Sequence, residues 1–101
     1  MGRERREYLL GIRINAREVR RAVIDSHYED NHQGTISDEL IMRLVQLLDG
    51  GVYPTQDVDG VFEYFVTDRM VLDGKFYKMI WLMEADSDYI GVINAYRRRV
   101  K

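Results

Sequence analysis

The chain has 101 residues, 46 % of them apolar, with no cysteine and a net charge of −2, enough for one small domain with a core. The missing cysteine excludes disulfides, Cys-ligated zinc and thiol catalysis. No apolar run is long enough for a bilayer, and the start MGRERREYLLGI is too charged for a secretory leader, so a cytoplasmic protein is expected.

The charge is unevenly placed. Residues 1–22 carry seven arginines against Glu4, Glu7 and Glu18, a net +4. Residues 23–73 carry eleven acids against Arg43 and Arg69, a net −9, and residues 74–101 return to +3. If the basic ends meet in the fold, they make a surface for a phosphate backbone. The plainer reading is that the basic ends and the acidic middle attract each other and help the chain close.

In chain order, Ile12, Arg13 and Ile14 alternate as a strand, while the RERRE before them fits a strand or a helix. Asn15 fits the N-cap of a short helix over Ala16–Arg21, but Val19–Ile24 also reads as a strand, and the β-branched Val23-Ile24 favours a strand at Ala22–Asp25. The next stretch, DSHYEDNHQG, holds both histidines, a tyrosine and three acids. Ser37 then caps the clearest helix, with Asp38 and Glu39 in its first turn. Leu40, Ile41, Leu44, Val45, Leu47 and Leu48 form its apolar face, and Gly50-Gly51 ends it. Beyond the connection Val52–Asp57, Val61–Thr67 reads as a strand, Asp68-Arg69 as a tight connection and Met70-Val71-Leu72 as a short strand. Asp73-Gly74 is a strong hairpin turn. The last hairpin joins Phe76–Glu84 to Asp88–Tyr96 through Ala85, Asp86 and Ser87. Its first arm contains the unbroken run Met79-Ile80-Trp81-Leu82-Met83, which predicts a central strand covered on both faces. In its second arm, alternation puts Ile90, Val92, Asn94 and Tyr96 on one face and Tyr89, Gly91, Ile93 and Ala95 on the other. The expected fold is therefore a single α+β domain over residues 1–101. One main amphipathic helix, with an N-terminal strand or helix, packs on an antiparallel sheet of about four strands.

One helix followed by an antiparallel meander whose last strand ends in Tyr96-Arg97 resembles the layout of the RelE/ParE-like toxins and of barnase-like small RNases. YKMIWLMEADSDYIGVINAYRR is similar to the last two strands of that group, and the likeness covers residues 37–99. It implies a toxin-type, metal-independent endoribonuclease with no cofactor, an RNA substrate and an antitoxin partner. The roles would fall on Lys75 or Lys78, Tyr96 and Arg97, with His27 and His32 added from the preceding loop. The chain departs from ribosome-dependent members in its acidic pI of about 5.6, and DSHYEDNH has no counterpart in their pattern.

The residues themselves argue in the same direction. Metal-free RNA cleavage near neutral pH needs a group that both takes and gives a proton there, and imidazole does so. His27 and His32 are five residues apart, about 140° on a helix, so they meet only in a loop, with Asp25 or Glu29 to orient a ring. They are not a zincin pair. Tyr96, Arg97, Arg98 and Arg99, with Lys75, leave the last strands as a phosphate clamp, and Lys78 sits within an apolar strand. The bland readings are surface histidines, a lysine stem covering apolar area and a solvated arginine tail. The competing classes are a non-enzymatic interaction module, dimeric through an open sheet face, and a histidine-based metal binder.

Overall fold

Ten alternating residues at the start of the chain, Arg5–Ile14, form strand β1 in a computed structural model that describes residues 5–30 and 36–99. Strand β2, Arg17–Asp25, returns antiparallel beside it. The expected helix after Asn15 is absent. Asn15 and Ala16 instead have φ of 52° and 62°, the paired left-handed residues of a type I′ hairpin turn. Asn tolerates that conformation because its short side chain hydrogen-bonds locally. Here the Asn15 amide holds Tyr53 at both ends, accepting from its backbone N–H and donating to its carbonyl. The turn is thereby docked on the loop that follows the helix.

Further along β2, Arg20 and Arg21 both donate their backbone N–H to the carbonyl of Asp88. This bulge lets Val19 face the same way as Ala22 and Ile24, all fully buried. The charged interruption that made this segment look helical is thus a kink within one strand.

A 3₁₀ turn, Ser26–Asp30, leads towards helix α1, Asp38–Leu47. Ser37 is its N-cap, extended at φ −136°, and its Oγ accepts from the Leu40 N–H at 3.1 Å. Ile41, Leu44, Val45 and Leu48 are buried, whereas Leu47, expected inward, is 46 % exposed. The short strand β3, Asp57–Asp59, then pairs with β4, Phe62–Leu72. Val61–Thr67 and Met70–Leu72 are one strand, not two. Arg69, at φ 55°, forms a bulge where the register shifts. Asp73-Gly74 turns the chain into β5, Lys75–Glu84, and β6, Tyr89–Arg98, completes the sheet.

The sheet has six strands in the order β1-β2-β6-β5-β4-β3. All neighbours are antiparallel except β2 and β6, which run parallel. This overturns the expectation of one main helix on about four antiparallel strands: the fold is mostly sheet, mixed, with one short helix. The signal lost in the sequence was the N-terminal hairpin, whose six arginines among the described residues mask its alternation.

The two faces of the sheet differ. On one, Phe65, Tyr77, Met79, Trp81, Met83, Ile90, Val92 and Ala95 are buried beneath α1 and the loop after it. Phe65 stacks on Trp81 at 4.1 Å, Tyr53 meets Trp81 edge-on at 5.7 Å, and the indole N–H donates to Thr67. On the other, Phe62, Tyr64, Phe76, Ile80, Leu82 and Ile93 are half-buried, and no element among the described residues packs over them. The expectation that β5 is covered on both sides therefore fails: only its odd-numbered residues are covered. A second shift occurs in β6, where Ile80 pairs with Asn94 but Trp81 pairs with Val92. Ile93 is the extra residue. Asn94 and Tyr96 therefore face away from Ile90 and Val92, not with them.

Among the described residues no helix is long and apolar enough to cross a membrane.

Candidate nucleic-acid interface

A positively charged part of the molecule lies at the open end of the central hairpin, beside the β4–β5 turn. Gly74 and Lys75, from the β4–β5 turn, meet Arg97, Arg98 and Arg99 from the end of β6 around an open depression of about 500 Å³, with Phe76 on its wall. The β5–β6 register explains the gathering: Phe76 pairs with Arg98 and Tyr77 with Arg97. Strand alternation then sends Arg97 towards the helix side and Arg98 towards the uncovered side. Of two nearby acids, one is engaged outside the cluster and one within it. Asp73 accepts from Arg43 of α1 at 2.9 Å, and that guanidinium holds its carboxyl below the usual carboxylate range. Asp68 pairs with Arg98 at 3.5 Å. Arg97 and Arg99 make no ion pair among the described residues.

Lys78 lies on the uncovered face, two residues along β5 from Phe76. It pairs in register with Tyr96, and its ammonium sits 5.9 Å from the centre of the Tyr96 ring, a cation–π distance. Five of the expected site residues, Lys75, Lys78, Tyr96, Arg97 and Arg98, thus occupy one end of two adjacent strands, with Arg99 following. His27 lies in the 3₁₀ turn, whose backbone packs against β6; its side chain is outside the described residues. His32 lies outside them altogether. Among the described residues no group of His, Asp or Glu is arranged to hold a metal ion.

The basic N-terminal segment does not join this cluster. Arg6 pairs with Asp38 and Glu29, Arg13 and Arg20 with Glu18, Arg17 with Glu63, and Arg21 with Glu7 and Asp88. Arg6 and Arg17 thus reach acids of the middle segment, whereas Arg13, Arg20 and Arg21 pair with acids of the two basic ends. Among the described residues, the depression draws its positive charge from Lys75, Arg97, Arg98 and Arg99.

Two features escaped the sequence. The first is the anchor at the start of α1. The Asp38 carboxylate accepts from the Arg6 guanidinium and from the hydroxyls of Tyr8 and Tyr28. The Arg6 hydrogen bond, helped by those of Tyr28 and Tyr8 and opposed by desolvation, holds its pKa down to about 2. Burial, with the bond to Asp38, pushes the Tyr28 phenol up to about 12. The anchor ties β1, the 3₁₀ turn and α1 together. Asp38 reads in the sequence as a helix-dipole residue, and nothing local in its spacing announces the other role.

The second is a groove of about 480 Å³ on the uncovered face, lined by Phe62, Tyr64, Leu82, Tyr89, Gly91 and Ile93, with Arg5 and Asp25 at its rim. Gly91 lets Leu82 and Tyr89 close over β6. A Cβ there would lie 2.9 Å from Leu82 Cδ1, well inside ordinary contact. Arg21 stands 5.5 Å over the Tyr89 ring, whose hydroxyl donates to Glu84.

No protein-family model, curated protein or solved structure matches the chain.

Proposed function

We propose that this protein binds single-stranded RNA at the end of its central hairpin and cleaves it without a metal, as a toxin-type endoribonuclease. The observation that carries the binding is the convergence of Lys75, Arg97, Arg98 and Arg99 on one depression, with Arg97 and Arg99 free of ion pairs among the described residues. Guanidinium groups on the ends of rigid strands suit the fixed geometry of a phosphate. Phe76, Tyr96 and Lys78 beside them supply rings and a cation, the pairing that single-strand binders use. For the chemistry, His27 is the proton-transfer group of the reading, with Arg97 stabilising the charge that grows on the phosphate. The 3₁₀ turn that carries His27 lies against the strand that ends in Arg97, which supports their acting on one phosphodiester. An antitoxin would be the protein partner of such an enzyme.

The test is binding and integrity of a short single-stranded RNA, measured for the wild type, Arg97→Ala/Arg99→Ala and His27→Ala. Loss of two phosphate contacts should lower the slope of log affinity against log salt by about 1.4, at about 0.7 per contact. His27→Ala should bind normally and leave the RNA intact, and its expression should not arrest growth. Absence of RNA binding by the wild type at low salt contradicts the proposal.

A second reading rests on a different observation. The uncovered face is apolar across β4 and β5, with Val66 41 % exposed, and such faces serve protein contacts. It would make the chain an interaction module, as a homodimer. Concentration-dependent sedimentation of the wild type without RNA separates the two.

A further inference from the structure

The basic depression sits at the end of the sheet, where Phe76 and Arg98 face the same side as the groove at Gly91, and β5 connects the two. From Phe76 to Leu82 the strand advances six residues, about 20 Å. The half-buried residues along the way are Lys78 and its ring partner Tyr96, then Ile80 and Asn94. A charged clamp, a cation with its ring, and an aromatic-walled recess therefore follow one another along a single line. That order suits a strand of about four nucleotides, the lower end of the site sizes of sheet-based single-strand binders.

Resting on the RNA reading above, we propose that the groove formed by Phe62, Tyr64, Leu82, Tyr89 and Gly91 receives one nucleobase of the bound strand, about four nucleotides from the phosphate held by Lys75, Arg97, Arg98 and Arg99. Its apolar and aromatic lining matches the flat faces of a base. Arg5 and Asp25 at the rim bring a donor and an acceptor to the level where the polar edge of a base would emerge. With no side chain at Gly91, Leu82 and the Tyr89 ring settle against the β6 backbone and form an apolar floor on which a base would rest. Charge favours a nucleic acid over a second copy of this chain: the line begins beside Arg97 and Arg99, which make no ion pair among the described residues and which two symmetric copies would bring into repulsion or leave unused.

The proposal predicts that affinity depends on RNA length in a step. A dinucleotide reaches only the basic depression, whereas a five-nucleotide strand reaches the groove. Gly91→Ala pushes Leu82 into the groove, and Tyr64→Leu removes a ring while keeping apolar bulk. Fluorescence anisotropy with two- and five-nucleotide RNAs, with thermal melting as a fold check, should show each variant binding the five-mer roughly ten-fold more weakly than wild type. Dinucleotide binding should not change. A five-mer lacking the base at its groove-end nucleotide should bind the wild type as weakly as the intact five-mer binds Tyr64→Leu. If that abasic strand binds at full strength, or if both folded variants keep wild-type affinity for the five-mer, the groove is not a base site although RNA binding stands. If Gly91→Ala converts a dimer into a monomer instead, the groove is a protein contact. If no RNA binds the wild type, this inference and the RNA reading fall together.

Discussion

The two faces of the central hairpin come from the same ten-residue strand, yet they behave as different materials. The odd-numbered face of β5 is sealed: Trp81 is 0 % exposed, stacked on Phe65 and hydrogen-bonded through its indole. The even-numbered face carries Phe76, Lys78, Ile80 and Leu82, each half-buried, with no element among the described residues above them. A sheet stabilised from one side by a single ten-residue helix leaves its other side available. The difference teaches that an apolar run on both faces of a strand specifies two interfaces, of which this chain fills one.

Substitutions on each side should expose that contrast. The largest effect belongs to Trp81→Ala, which leaves a cavity between Phe65 and Tyr53 and should lower stability by about 3–5 kcal/mol, read by chemical denaturation. An unchanged midpoint would show that this face is not the core. Next comes Asp38→Asn, which leaves three donors facing a neutral amide under the covered side and should cost about 2 kcal/mol at neutral pH. The pH dependence has a definite sign. The folded carboxyl titrates at about 2, below the unfolded value of about 3.9. Its stabilisation is therefore present above pH 4 and disappears as pH falls from about 4 through about 2. Denaturation followed down that range should show a steeper loss for the wild type than for Asp38→Asn, and parallel curves would remove Asp38 from the account. Ser37→Ala, losing one cap bond to Leu40, should cost about 1 kcal/mol, measurable as a small fall in Tm. The smallest change is expected from Ile80→Thr on the uncovered face, within about 1 kcal/mol, although it sits beside Trp81 in sequence. A loss there as large as that of Trp81→Ala would mean the face is covered in solution.

The sequence made some of this legible and hid the rest for identifiable reasons. The last hairpin, the Asp73-Gly74 turn, the Ser37 cap and the buried indole follow from local chemistry: turn residues, a capping hydroxyl and an apolar run. The failures are long-range. The β1–β2 hairpin was obscured because Asn15 serves equally as a cap or as a left-handed turn residue, and only its grip on Tyr53 decides. The bulges at Arg20-Arg21, at Arg69 and at Ile93 each reverse the alternation that assigns faces, and no residue type marks them. The parallel pairing of β2 with β6 joins segments more than sixty residues apart. Of the candidate site, Lys75 with Arg97, Arg98 and Arg99 was readable as charge at strand ends. The groove was not, because Phe62, Tyr64, Leu82, Tyr89 and Gly91 come from three strands and look like ordinary sheet residues.

The central claim is that the uncovered face and the basic end of the hairpin form one surface for single-stranded RNA. Backbone amide NMR shifts, followed while a five-nucleotide RNA is added, test it most directly. The account predicts that the perturbed residues trace Lys75, Phe76, Lys78, Tyr96 and Arg98 and continue to Leu82 and Gly91, with α1 nearly silent. Perturbation centred on α1, or no perturbation at low salt, would contradict it.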